Sequence, residues 1–126
     1  MKIAVIIVRI LLGLLLLFAS IAVLFNLVQP PSNLPDRAKT FMEGMNASGY
    51  LMTLIKVTEL VCGLAFVSGF FVPLATVVIA PITINILLYH IFVAPEGLPV
   101  AIFMVLANIF LAYANWDKFK PVLEAK

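Results

Sequence analysis

Four apolar runs, each about the length that crosses a bilayer as helix, take up most of this 126-residue chain. They cover about 3–28, 50–70, 73–94 and 98–116. A hydrocarbon core about 30 Å thick needs roughly 20 apolar residues per helix. Within it, every backbone N–H and C=O must be satisfied by the span itself. The pattern therefore predicts an all-α membrane protein: a four-transmembrane-helix antiparallel bundle, formed as a single membrane domain over 1–126. Composition closes the alternatives. The chain is 64% hydrophobic and 11% charged, against about 45–50% and about 25% in soluble domains. A water-soluble globular enzyme is excluded. One cysteine excludes a disulfide framework, and one histidine leaves no second imidazole to share a metal, so no metal site is expected. The basic residues are scattered, without the basic face a nucleic-acid binder needs.

The first run is longer than a signal-peptide apolar segment of about 7–15 residues, and it carries Arg9 inside it, so it reads as a retained helix. Gly69-Phe70-Phe71-Val72-Pro73 joins the second and third runs. Glycine ends helices and proline begins them, so those two helices are antiparallel neighbours. Ala94-Pro95-Glu96-Gly97-Leu98-Pro99 makes a second tight turn. The longest connection, Gln29 to Gly49, opens with Pro30-Pro31 and Pro35, which block regular helix. Beyond them, Asp36 to Met45 reads as a short external loop helix. Asp36 is expected to be its N-cap, with Ala38, Phe41, Met42 and Met45 on the side that lies in the interface or plugs the bundle end.

Orientation follows from lysine and arginine placement. The end with both termini carries Lys2, Lys118, Lys120 and Lys126, while Arg37 and Lys39 at the other end are offset by Asp36 and Glu43. Both termini are expected to face the cytoplasm.

Polar groups inside apolar spans cost about 2.5–3.5 kcal/mol when charged and usually face the bundle interior. Arg9 lies about 9 Å in from the terminal end by helical rise, and Glu59, Asn85 and Asn108 about 12–18 Å in. The expectation is a buried Arg9–Glu59 pair with Asn85 and Asn108 as hydrogen-bond partners. Lys56 and His90 lie further out, and Asn26 near the external end. Spacing puts Arg9, Gly13 and Ser20 on one face, Lys56, Glu59 and Gly63 on another, and Pro81, Asn85 and Tyr89 on a third. The ligand-binding candidates are thus Arg9, Glu59, Asn85, Asn108, Lys56 and His90. Three readings of the cluster stay open: it bonds the helices together, it holds a small amphipathic ligand, or it passes protons or ions. Cys62 reads as inert packing.

Arg9-Ile10-Leu11-Leu12-Gly13 resembles the first helix of DoxX-family membrane proteins. Lys56-Val57-Thr58-Glu59-Leu60-Val61-Cys62-Gly63 resembles the second, Phe71-Val72-Pro73-Leu74-Ala75 the turn into the third, and Ala80-Pro81 through Tyr89-His90 with Pro95-Glu96-Gly97 the third helix and its exit. The resemblance implies a four-helix inner-membrane bundle linked to membrane redox systems. It implies a quinone- or lipid-associated subunit or anchor of such a system. The alternatives are a non-enzymatic scaffold or assembly factor, or a carrier of lipid or another small molecule. No redox centre can be built from these residues alone, so catalysis by the chain itself is not expected. The redox reading requires a non-covalent cofactor such as a quinone, or a redox-enzyme partner subunit. A second copy of the chain is a further candidate partner.

The topology has a direct test. Single cysteines replacing Ser32 and Lys126, in a Cys62→Ser background, are expected to react with an impermeant thiol reagent from opposite sides of the membrane. Labelling of both from the same side contradicts the assignment.

Overall fold

The computed structural model describes residues 2–25, 27, 35–93 and 95–124. Helix α1 spans Lys2–Leu24, α2 Asp36–Ala47, α3 Leu51–Ser68, α4 Val72–Phe92, α5 Leu98–Ala114 and the short α6 Trp116–Phe119. Single turns of 3-10 helix occupy Pro95–Gly97 and Lys120–Leu123. No strand occurs among the described residues. Four helices, α1, α3, α4 and the Pro95–Ala114 stretch, are long and apolar enough to cross a membrane. The expectations resting on Asn26, Pro30-Pro31, Ala94 and Lys126 lie outside the described residues.

The element boundaries follow from local chemistry. Gly69 closes α3 in the left-handed conformation at φ 85°, and its N–H donates to the Ala65 carbonyl at 2.9 Å. Glycine adopts that region without steric cost. Phe71 follows at φ 58°, and Pro73 lies in the first turn of α4. A left-handed conformation costs an L-residue about 1–2 kcal/mol, which the chain spends here to reverse direction in three residues. Helix α1 ends earlier than its apolar run. The Leu27 N–H reaches back to the Ala22 carbonyl, five residues away, so the last turn has opened out. Helix α2 forms where the pattern places it, with Ala38 fully buried. Asp36 is not its N-cap. Pro35 takes that position at φ −57°, ψ 150°, and no side chain caps the helix. Asp36 lies in the first turn, where an acidic group complements the helix dipole.

Packing is by pairs. Helix α1 runs along α3 and α4 along α5, with α3 against α4 and α1 against α5 joining the pairs. The core is built on Leu12, Leu16, Phe66, Ile79 and Leu111, all fully buried. Outward-facing residues such as Leu14, Leu54, Leu64, Val77 and Leu106 are exposed, as lipid-facing positions require. Lys2 lies with Tyr113, Asn115 and Trp116, so the N-terminal end of α1 and the C-terminal end of α5 share one end of the bundle. Helix α2 is at the other.

The closest approach is between α1 and α3. A Cβ added at Gly13 would lie 3.0 Å from the Gly63 carbonyl oxygen and 2.8 Å from Val67 Cγ2. A Cβ at Gly63 would lie 3.0 Å from the Gly13 carbonyl oxygen. Small residues let helix backbones meet where no hydrophobic effect drives them together. Gly13→Ala and Gly63→Ala are each expected to destabilise the bundle by about 1–3 kcal/mol, the usual cost of overpacking. Gly44 has nothing within 4 Å of its Cβ position, so Gly44→Ala is expected to be neutral or slightly stabilising. Unfolding titrations in mixed detergent measure all three.

Candidate functional site

Below α2 the helices line a half-open cavity of about 670 Å³, within the range typical of ligand sites. Every long helix contributes to it. Helix α1 supplies Leu15, Phe18, Ala19 and Val23, and α5 supplies Val100, Ala101 and Met104. Its polar side comes from α3 and α4: Lys56 and Glu59 on one, Asn85, Tyr89 and His90 on the other. Helix α2 covers the end with Phe41, Met42 and Met45, the residues its apolar spacing singles out.

Lys56 Nζ donates to Glu59 Oε2 at 3.2 Å, one helical turn apart on α3. The Glu59 side chain is 2% exposed and that of Lys56 17%. This ion pair corrects the expected Arg9–Glu59 pair. Arg9 lies at the far end of α3, where its Nη1 would be 3.1 Å from a Cβ on Gly69. The physical reason is register. With Gly13 opposite Gly63 in an antiparallel pair, Glu59 falls opposite Leu17, eight residues and about 12 Å along α1 from Arg9. Arg9 instead places a cation beside the C-terminus of α3, a favourable location for positive charge. Its Nε is buried with no hydrogen-bond partner.

Asn108 also departs from expectation. It is buried, but it bonds α5 to α4 rather than to the acidic group. Its Nδ2 donates to the Thr76 carbonyl at 3.2 Å, and its Oδ1 accepts from the Thr83 hydroxyl at 3.0 Å. The Ala80 carbonyl lies at the same distance from that hydroxyl. Thr76 in turn donates to the Val72 carbonyl at 2.7 Å. This network borders a separate hollow of about 410 Å³ on the outer α4–α5 face. Asn85 is exposed and lines the main cavity. Of the six candidates, Lys56, Glu59, Asn85 and His90 thus meet in one cavity, and Arg9 and Asn108 serve elsewhere in the bundle.

The Tyr89 ring stands between two others: Phe41 of α2 at 5.1 Å and His90 at 5.0 Å, the latter edge-on. His90 fills the space over Gly97, where a Cβ would collide with its ring and lie 2.7 Å from Nδ1. Sequence reasoning put Tyr89 on the right line of α4 without assigning it to the site. It placed Met42 and Met45 on the inner side of α2 but did not join them to Met52 and Met104. Four of the five methionines in the chain, Met42, Met45, Met52 and Met104, line this cavity. That signal was present in the sequence, because methionine is the side chain that best fits irregular apolar contents. Cys62 is buried and packs in the core, as its apolar surroundings indicate.

A helical membrane protein of four spans with a cavity between them defines the class. The chain belongs to the DoxX family: the family model described as DoxX matches residues 4–91, which reach from α1 almost to the end of α4. No curated protein and no solved structure matches it.

The geometry reassigns the coupling between charges. Glu59→Gln and Lys56→Gln are expected to couple by about 0.5–3 kcal/mol in a double-mutant cycle. Breaking a fully buried pair costs roughly 3–5 kcal/mol. Arg9→Ala and Glu59→Gln are expected to be additive. Unfolding in detergent measures both cycles, and strict additivity of the Lys56 and Glu59 losses contradicts the pairing.

Proposed function

We propose that this DoxX-family membrane protein holds a quinone or a lipid in the cavity beneath α2 and serves as a ligand-bearing subunit or anchor of a membrane redox system. On this reading it resides in the bacterial inner membrane with both termini cytoplasmic. The observation that carries the reading is the cavity itself, roomy, methionine-lined and polar along one wall.

The residues fit such a ligand. A quinone carbonyl or a lipid head group needs hydrogen-bond donors, which the Asn85 amide and Tyr89 hydroxyl supply at the cavity wall. A flexible tail needs apolar walls that re-pack, which Met42, Met45, Met52 and Met104 supply. Redox chemistry belongs to the bound cofactor and to a partner subunit. The chain's own residues orient the head group, exclude water and anchor the tail.

Gentle purification followed by mass spectrometry of co-purifying lipids, quinones and proteins tests the reading. Asn85→Leu is expected to leave folding intact, because the side chain is exposed to the cavity, and to lower ligand retention by roughly tenfold, the worth of one good hydrogen bond. Asn108→Leu is expected to do the reverse, loosening α4 from α5 with little effect on retention. Wild-type protein carrying no quinone or lipid above detergent background rules the reading out.

A further inference from the structure

We infer that the cavity selects amphiphiles with an uncharged, hydrogen-bonding head group and rejects anionic ones such as fatty acids or acidic phospholipids. The inference rests on the ligand reading above and concerns the charge balance of the same site. Among the cavity-lining side chains, Lys56 supplies the ammonium and Glu59 the carboxylate, and they are joined at 3.2 Å within one turn of α3. The cavity therefore offers no net positive charge. An anionic head group gains an ion pair only by drawing Lys56 away from Glu59. That leaves Glu59, whose side chain is 2% exposed, as a buried carboxylate without its cation. A buried charge stripped of its partner is among the costliest states a protein interior holds.

No other cation compensates. Arg9 lies at Gly69, beyond the far end of the cavity. Arg37 and Lys39 of α2 are exposed and are not part of the lining. The remaining polar groups, Asn85, Tyr89 and His90, are donors and acceptors suited to a carbonyl or hydroxyl. Glu59 thus acts as a specificity-determining residue: it neutralises Lys56 in advance, so the site recognises a head group by hydrogen bonds and not by charge.

Two probes with the same tail separate these possibilities. Deuterated hexadecan-1-ol and hexadecane-1-sulfonate are offered to the detergent-purified full chain at mildly alkaline pH. Bound probe is counted by native mass spectrometry. Wild-type protein is expected to prefer the alcohol by roughly tenfold or more. Glu59→Gln frees Lys56 and is expected to raise sulfonate binding by roughly tenfold, and Lys56→Gln added to it is expected to return sulfonate binding to the wild-type level. Equal binding of both probes by wild-type protein overturns the charge inference while the ligand reading stands. Binding of neither overturns both. The wild-type comparison needs no variant and stays decisive if Glu59→Gln fails to fold. A folded Glu59→Gln protein with unchanged sulfonate binding also overturns the inference.

Discussion

The backbones of α1 and α3 touch at Gly13 and Gly63, and the position of that contact governs the interior. In a bilayer, helices gain nothing by hiding apolar surface from water, so close backbone approach and hydrogen bonds must hold them together. Two facing glycines give that approach at mid-bundle, with Gly13 halfway along α1. Toward the α2 end the lining begins at once, with Leu15 on α1 and Glu59 on α3. The same antiparallel register carries Arg9 to the Gly69 turn and keeps it out of the cavity. One pair of missing side chains thus fixes where the bundle is tight, where it is open and which charges line the opening.

The second pair of helices is held by different means. Helices α4 and α5 are clamped by Asn108, whose amide reaches the Thr76 carbonyl and the Thr83 hydroxyl across the interface. Satisfying both ends of a buried amide this way removes the penalty that an unpaired polar group pays in an apolar interior. The polar residues of the spans therefore divide by task. Asn108, Thr76 and Thr83 join helices, Arg9 lies beside a helix end, and Lys56, Glu59, Asn85, Tyr89 and His90 line the cavity.

How much of this the sequence discloses depends on the distance over which each feature is determined. Spans and turns are local. Run length marks α1, α3, α4 and α5, while Gly69 and Pro73 mark one reversal and Pro95 to Gly97 another. Helix α2 was legible from Ala38, Phe41, Met42 and Met45, because one apolar stripe on a polar segment has few other uses. Membership of a face was legible too, since Pro81, Asn85 and Tyr89 fall on one line and all three reach the cavity. Pairing between helices was not. Depth counted along each span set Arg9 near Glu59, but depth alone leaves the register and rotation of neighbouring helices undetermined. Asn108 shows the same gap: its position in mid-span was evident, while its partners depend on which way α5 turns toward α4. The capping of α2 was misread for a smaller reason, since Pro35 takes the cap position and moves Asp36 into the first turn.

The Lys56–Glu59 bond has a consequence for how the chain reaches the membrane at all. A carboxylate and an ammonium presented separately to the insertion machinery would each burden α3 by about 2.5–3.5 kcal/mol. These two are three residues apart on one helix, so they can meet as soon as a single turn has formed. Their neutralisation does not wait for α1, α4 or α5 to arrive. Helix α3 can therefore partition into lipid as an electrically balanced segment, carrying the charged groups of the future cavity already matched before there is a bundle around them.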